Sequence, residues 1–367
     1  MCTFVKKMIA MKKLFHLSSA LMILLALAGG CGLPDPGQQI YTAISGVYTI
    51  EGGTETTPAI LSLIDYNTRS VTRDIFGGVN GKTLTGRVPD ALSFGSHLCL
   101  CAEDAGLVYI TDLSGKIERE ISAAAKGARR PSHIILEKGY LFVTYSDGYL
   151  ARIDTTDYSL SILPLAGNPQ GLAASNDKIF VACPGEDGNG TDIAVVEARA
   201  FSPLKNMSVT PNTRELFACG KSYLYTLNQQ SASNSDPTIE VFDTDKYESL
   251  ATVGVRSPIA ISGGYSSYFF ALTREYDGAG SVHQRVVPID GYTARAEMED
   301  LNRGDIILES AVTISVDPVN GVIFVGSTKE DGTGKYEVLT TQGGLWHTFN
   351  TTATPGKVFF ATTQVVY

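Results

Sequence analysis

The stretch "LFVTYSDGYLARIDTTDYSLSIL" (Leu141–Leu163) carries the pattern that decides the fold. Two β-type runs, Leu141–Tyr145 and Tyr149–Asp154, flank a short turn, Ser146–Gly148, and a more polar run follows them. Alternating β-branched and aromatic residues bounded by Asp and Gly are typical of strands joined by tight hairpins. The segment therefore predicts three consecutive strands of one antiparallel sheet.

The first of these runs recurs along the whole chain. The seven copies are "GVYTI" (Gly46), "HLCLC" (His97), "YLFVT" (Tyr140), "KIFVA" (Lys178), "YLYTL" (Tyr223), "YFFAL" (Tyr268) and "VIFVG" (Val322). Successive copies start 51, 43, 38, 45, 45 and 54 residues apart. That spacing is typical of propeller blades, each a four-stranded sheet. The sequence predicts an all-β, seven-bladed propeller, with eight blades as the alternative.

A second β-type run follows each copy, and in six of the seven blades it ends in an acidic residue. Such a side chain accepts backbone N–H groups of the turn that follows the strand. The acids are Asp65, Asp112, Asp154, Glu197, Asp243 and Asp290. A shorter, more polar run comes next, and we expect it to form the outer strand.

Innermost strands come just before each copy, and proline often introduces them. These runs include "PDALSF" (Pro89), "PSHIIL" (Pro131), "PQGLAA" (Pro169) and "PIAIS" (Pro258). Proline suits the first position of a strand, where its missing N–H costs nothing. The first blade lacks such a strand, whereas the final segment "PGKVFFATT" (Pro355–Thr363) has no blade left to start. We expect the C-terminal strand to close the ring onto the first blade.

The N-terminal stretch "LLALAGGCG" (Leu24–Gly32) ends a basic, then apolar leader. A basic head, a short apolar run and small residues predict a secretory signal over residues 1–30. Ala28 to Cys31 resembles the bacterial lipobox, which implies lipidation of Cys31. An ordinary secreted protein with an incidental cysteine is the alternative. We assign 31–45 to the lipidated cysteine and its tether, and 46–367 to the propeller.

The charge balance disfavours nucleic acid as a partner. The chain has 29 basic and 38 acidic residues, and the predicted leader holds four lysines and no acid. Removing the leader leaves 25 basic residues against 38 acidic ones, a net charge of −13. Such a surface repels phosphate backbones. The remaining cysteines, Cys99, Cys101, Cys183 and Cys219, lack metal-site spacing and are expected to be buried thiols, with one disulfide as the alternative.

Catalytic motifs are mostly absent from the sequence. "GGVNGKT" (Gly77–Thr83) imitates a phosphate-binding loop, but Phe76 stands where a glycine is required, so we expect a turn. The histidines beyond the leader fall in different blades without a shared register, which disfavours a metal cluster. They are His97, His133, His283 and His347. We therefore expect no metal, no cofactor and no enzymatic activity.

One face of the propeller is expected to carry clustered positive charge. Connections from an outer strand to the next inner strand share a face with the hairpins between second and third strands. Six of the fourteen arginines fall in those connections: Arg87, Arg129, Arg130, Arg214, Arg256 and Arg303. Guanidinium groups bind carboxylate and phosphate bidentately, which predicts an anionic ligand at the channel mouth. The alternative is that these arginines cap strand ends or pair with neighbouring acids.

The hairpins on the same face differ in length. Asn228–Pro237 and Arg274–Gln284 are long, whereas blades 2 and 3 have tight turns. A wall on one side of the mouth predicts a lopsided, concave site. Tyr145, Tyr276 and His283 are the candidates for stacking surfaces there.

The stretch Leu141–Leu163 resembles the YVTN repeat, and the other blades are looser copies of it. The chain from Gly46 onward thus resembles the YncE-like propellers. That class includes outer-membrane lipoproteins of gut Bacteroidetes, some of which capture nutrients such as corrinoids beside a TonB-dependent transporter.

The resemblance implies an outer-membrane lipoprotein, on the cell surface or the periplasmic face. We expect a non-catalytic propeller that binds an anionic small molecule, a glycan or a partner protein. One alternative is a metal-dependent lactonase- or lyase-like enzyme. The other is a structural envelope protein that recognises only protein.

Overall fold

The computed structural model describes residues 40–264, 266–277, 280–297, 301–302 and 306–366. The predicted signal, Cys31 and most of the tether lie outside the described residues, as does Arg303. Thr42–Val365 form one compact unit. In the part of the chain that the structure describes, no helix is long and apolar enough to cross a membrane.

Seven antiparallel, four-stranded sheets form the blades of a propeller, which confirms seven blades rather than eight. Blade 1 has the order β28-β1-β2-β3, with β1 (Ile40–Gly52), β2 (Ala59–Asp65), β3 (Ser70–Thr72) and β28 (Pro355–Val366). The C-terminal strand β28 is therefore the inner strand of the first blade, and it closes the ring as predicted. Closure leaves no unpaired inner edge that could recruit another chain.

Blades 2 to 7 follow in chain order from the inner to the outer strand. Blade 2 contains β4 (Asp90–Phe94), β5 (His97–Ala102), β6 (Leu107–Asp112) and β7 (Ile117–Ile121). Blade 3 contains β8 (Pro131–Glu137), β9 (Tyr140–Tyr145), β10 (Tyr149–Asp154) and β11 (Leu160–Pro164). Blade 4 contains β12 (Leu172–Ser175), β13 (Lys178–Cys183), β14 (Asp192–Glu197) and β15 (Ser202–Ser208).

The remaining three blades repeat this arrangement. Blade 5 contains β16 (Thr213–Cys219), β17 (Tyr223–Asn228), β18 (Thr238–Asp243) and β19 (Glu248–Thr252). Blade 6 contains β20 (Pro258–Ser262), β21 (Tyr268–Tyr276), β22 (Val282–Asp290) and β23 (Arg295–Ala296). Blade 7 contains β24 (Ala311–Val316), β25 (Ile323–Thr328), β26 (Gly334–Leu339) and β27 (Leu345–Thr351).

The hydrophobic core lies between adjacent blades, with one cluster of buried side chains at each of the seven interfaces. Both faces of a blade are covered by its neighbours, so the side chains on both faces of the second strand are buried. In β9, for example, every residue after Tyr140 is buried. Cys99, Cys101, Cys183 and Cys219 are buried free thiols in these interfaces.

The acids at the ends of the third strands cap the turns that follow them, as predicted. Asp65 accepts the backbone N–H groups of Asn67 at 2.7 Å and Thr68 at 3.1 Å. These bonds favour the ionised form and lower the pKa of Asp65. In blade 7, which lacks the acid, the Thr340 hydroxyl accepts the N–H of Gly344 at 3.1 Å.

Blades 7 and 1 are joined by a buried hydroxyl at the closing seam. The Tyr336 hydroxyl donates to the carbonyl of Ile50 at 3.2 Å and accepts the N–H of Gly356 at 3.1 Å. One side chain thus ties β26 to both β1 and β28.

The turn predicted at "GGVNGKT" is wrong in its first half, where the chain forms a short helix, α1 (Ile75–Asn80). The Asp74 carboxylate caps it by accepting the Gly77 N–H at 3.0 Å. Phe76 anchors the helix, since its ring is fully buried and packs edge-on against Tyr109. A 3₁₀ turn at Ala124–Lys126 is the other helical segment among the described residues.

Candidate functional site

The inner strands line a central channel of about 890 Å³. Strand pairing places one residue of each inner strand at the same level of the ring. Cys101 and Leu227 are each the fifth residue of the second strand in their blades. Asp90 pairs with Cys101 and Glu215 pairs with Leu227, so the two acids lie at equivalent positions. The residues at this level in blades 2 to 7 are Asp90, His133, Gly171, Glu215, Ala260 and Thr313. The inner strand of blade 1, β28, adds Lys357 to the channel wall.

Asp90 and Lys357 form an ion pair across the channel wall, with 2.9 Å between Lys357 Nζ and Asp90 Oδ1. The other carboxylate oxygen, Oδ2, accepts the backbone N–H of Ile134 at 3.1 Å. The carboxylate of Asp90 raises the pKa of Lys357, although burial opposes that shift. The Lys357 side chain is 43% exposed because it lines the channel. Lys357 is thus charged, held in place and reachable from the lumen.

His133 is the neutral member of this group. Its Nδ1 lies 2.9 Å from the Ser132 hydroxyl. Burial lowers the pKa of His133 below its ordinary value of 6.5. The imidazole is therefore neutral near pH 7, and it can act as donor or acceptor toward a ligand.

Glu215 is an acid in the channel wall. Its Oε2 accepts the backbone N–H of Ile261, from the next blade, at 3.0 Å. Among the described residues it has no ion-pair partner. Burial raises the pKa of Glu215 from 4.5 to about 7. The carboxyl thus exchanges a proton close to physiological pH.

A second cavity of about 530 Å³ lies at the channel mouth. Two arginines and two glutamates line this mouth pocket: Arg87, Glu103, Arg130 and Glu186. Pro89 and His133 line both the mouth pocket and the channel. The two cavities are therefore adjacent, with His133 in the wall that they share.

Two of the predicted arginines are neutralised within the mouth pocket. Glu103 bridges them, since it lies 3.4 Å from Arg87 Nε and 2.7 Å from Arg130 Nη2. Arg87 also contacts Asp104 at 2.6 Å, and this bond raises its pKa while lowering that of Asp104. For Arg87 and Arg130 the structure supports the alternative, pairing with neighbouring acids, over a free basic ring.

The other predicted arginines differ from this pair. Arg129 is exposed, and its backbone N–H donates to Asp147 at 2.8 Å. Arg214 is half-buried, and its Nε donates to Asn212 Oδ1 at 2.7 Å. Burial lowers the pKa of Arg214. Within the described ranges no acid forms an ion pair with Arg129, Arg214 or the exposed Arg256.

The residues predicted to provide stacking surfaces are separated. Tyr145 is fully buried between blades 2 and 3. The prediction that its ring stacks on a ligand is therefore wrong. Tyr276 is 67% exposed and pairs across the strands with Val282. His283 Nε2 lies 3.3 Å from Asp277 Oδ2.

The predicted long loop of blade 6 is mostly strand. β21 ends at Tyr276 and β22 begins at Val282. More than half of Arg274–Gln284 therefore belongs to paired strands of a projecting hairpin. This extension of paired strands holds Tyr276 and His283 away from the blade. In blade 5 the segment between β17 and β18 remains a loop, as expected.

Sequence reasoning missed the channel residues Asp90, His133, Glu215 and Lys357. A signal was present, because three of them follow the inner-strand prolines by one or two positions in "PDALSF", "PSHIIL" and "PGKVFF". The charged and polar residues at this repeated level of the inner strands belong to the channel wall. No group of three or more His, Cys, Asp or Glu in the described part of the chain could hold a metal ion.

Comparison with known proteins supports the fold. Neither a protein-family model nor a curated protein matches the chain. A quinoprotein alcohol dehydrogenase-like protein from Bacteroides thetaiotaomicron has a TM-score of 0.62 at 13% identity, covering 87% of this chain and 79% of that one. Hydrazine synthase from Kuenenia stuttgartiensis has a TM-score of 0.57 at 12% identity, covering 71% and 79%. A streptogramin B lyase has a TM-score of 0.52 at 12% identity, covering 76% and 93%.

These likenesses identify the chain as a β-propeller whose structural neighbours have varied roles. No family match confirms the YVTN repeat or the Bacteroidetes lipoprotein type. The likenesses also contradict the expectation that the chain has no enzymatic activity, because hydrazine synthase and streptogramin B lyase are enzymes. The expectation rested on missing motifs. A propeller assembles its site from separate blades, so a catalytic group need not leave a local motif.

Proposed function

We propose that the protein binds a small polar molecule in the cavity formed by the central channel and the mouth pocket. The observation that carries this proposal is that the two adjacent cavities share Pro89 and His133 as lining residues. Each has a volume in the range of small-molecule sites, roughly 300–1,000 Å³. A mainly apolar wall with a few fixed polar groups is the usual composition of such a site.

An anionic group of the ligand would be bound at Arg214 rather than at Arg87 or Arg130. The latter two are already engaged by Glu103. Arg214 is not itself a lining residue, but it precedes the channel residue Glu215, and its charge adds to burial in lowering the pKa of His133, which lines both cavities. Arg214 is half-buried, and among the described residues its side chain is bonded only to the neutral amide of Asn212. Hydrogen bonds to a partly desolvated guanidinium are stronger than those at an open surface. A carboxylate or phosphate on a metabolite or glycan fits this position.

The proposal includes a location at the cell envelope, anchored to the outer membrane by lipid on Cys31. Support for it comes from the leader pattern and from the resemblance to envelope lipoproteins. A TonB-dependent transporter is the proposed partner on the same grounds, and a corrinoid is one candidate ligand among several.

An enzymatic role is the second candidate, and Glu215 is the observation that favours it. General acid–base catalysis works best when the pKa of the group is close to the working pH. Glu215 meets this condition, and the neutral His133 lies at the same level of the channel. A lyase-like reaction is the class that such a pair would serve, and turnover of a bound ligand would establish it.

A thermal-shift screen tests the proposal. The panel contains corrinoids, haem, acidic glycans, phosphorylated metabolites and divalent metals. A ligand at 100 times its dissociation constant adds about 2.7 kcal/mol of stability, which such a screen detects. Arg214→Gln should reduce the shift from an anionic ligand, whereas Arg119→Gln on the outer strand β7 should not. Absence of any shift, or equal shifts in both variants, would overturn the proposal.

A further inference from the structure

Glu215 presents one free carboxylate oxygen to the channel. The bond from Ile261 fixes Oε2, and no described residue donates a hydrogen bond to Oε1. The side chain is half-buried, so the free oxygen is in reach of a molecule in the channel. A fixed acceptor with an unused oxygen is prepared for a donor from a ligand.

The channel has space on both sides of this carboxyl. The neighbouring blades place Gly171 and Ala260 at the same level, so neither side chain extends beyond Cβ. A Cβ on Gly171 would lie 2.3 Å from the carbonyl oxygen of Arg214, so the close approach of the two strands depends on glycine. Leu172, Phe217 and Ile261 supply apolar walls around this space.

The charged groups that face Glu215 leave it without a counter-ion. Lys357 from β28 is engaged by Asp90 from β4 at 2.9 Å. His133 is neutral, because burial lowers its pKa. Arg214 precedes Glu215 in β16, and its Nε bonds to Asn212. A second positive charge is therefore the feature that this part of the channel lacks.

We propose that the space beside Glu215 binds the ammonium group of an organic amine, with Oε1 as acceptor and Leu172, Phe217 and Ile261 around the apolar part. This inference rests on the proposed function, and it names the chemical class of one group of the ligand. Binding requires the ionised carboxylate, so it releases a proton wherever Glu215 is protonated in the free protein.

The test compares n-butylamine with the neutral n-butanol and the anionic butyrate by calorimetry. Butylamine should bind and the other two should not. Its affinity should rise roughly 30-fold between pH 5.5 and pH 8, since the ionised fraction of a group with a pKa of about 7 rises by that factor. Glu215→Gln should abolish butylamine binding, and the exposed Glu248→Gln on β19 should leave it intact.

Ala260→Val is a second variant that keeps the carboxyl but narrows the space beside it, and it should weaken butylamine at least 10-fold. Equal binding of butylamine and butanol, or retention of binding in Glu215→Gln, would overturn the inference. If panel ligands bind in the cavity and butylamine does not, this inference fails while the proposed function stands. If neither the panel nor butylamine binds, both fail.

Discussion

Glu215→Gln should make the protein more stable at alkaline pH. The folded protein holds the Glu215 proton up to a pKa of about 7, against 4.5 for an ordinary glutamate. The folded state therefore binds more protons than the unfolded state, so the free energy of unfolding falls as pH rises through this window. One pKa unit corresponds to about 1.4 kcal/mol. With allowance for water in the channel, the loss between pH 5 and pH 8 is about 2 kcal/mol.

Urea denaturation at several pH values measures this effect. Glutamine keeps the carbonyl oxygen that accepts the Ile261 N–H, but it cannot ionise. The stability of Glu215→Gln relative to the wild type should therefore grow by about 2 kcal/mol from pH 5 to pH 8. The contribution of His133 to the free energy of unfolding decreases as pH falls below about 6.5, because its pKa is lowered in the folded state. This decrease should be equal in both proteins. Parallel pH profiles for wild type, Glu215→Gln and the control Glu248→Gln would refute the reasoning.

Three further outcomes are expected. Tyr336→Phe should lower the free energy of unfolding by about 2 kcal/mol in urea denaturation, because it removes two hydrogen bonds to backbone groups at the closing seam. An unchanged midpoint would contradict the role of that hydroxyl. Gly171→Ala should destabilise the protein by about 2–3 kcal/mol, because the added Cβ meets a backbone carbonyl. The control Gly254→Ala, whose added Cβ has nothing within 4 Å, should cost under about 1 kcal/mol. Equal costs would contradict the close approach of β12 and β16. Burial raises the pKa of Cys99 and Cys101, so a disulfide reagent should label neither thiol in the folded protein and both thiols in urea. Rapid labelling of the folded protein would contradict their place in the core.

The fold could be predicted because its determinants are local and repeated. Each blade carries the same run of strand residues, and each third strand ends in a capping side chain such as Asp65 or Asp243. Ring closure by Pro355–Val366 followed from counting inner strands. The error at α1 arose because its helix depends on a distant partner, the ring of Tyr109 against Phe76.

The site was less predictable because its members come from different blades. The arginine pattern found Arg87 and Arg130 at the mouth, but their pairing with Glu103 is visible only in three dimensions. Tyr145 directly precedes the turn Ser146–Gly148, a position typical of an exposed residue. It nevertheless ends a strand whose side chains pack against both neighbouring blades, so it is buried. Glu215 was missed because its inner strand is not introduced by proline.

The channel as the ligand site is tested most directly by blocking it. Val312 is 41% exposed and lines the channel, whereas Leu345 is 49% exposed on the outer strand β27. The measurement is the calorimetric dissociation constant of the tightest panel ligand for Val312→Trp and for Leu345→Trp. We expect binding to Val312→Trp to be at least 10-fold weaker than to the wild type and binding to Leu345→Trp to be unchanged. Equal dissociation constants for the two variants would contradict a ligand site in the channel.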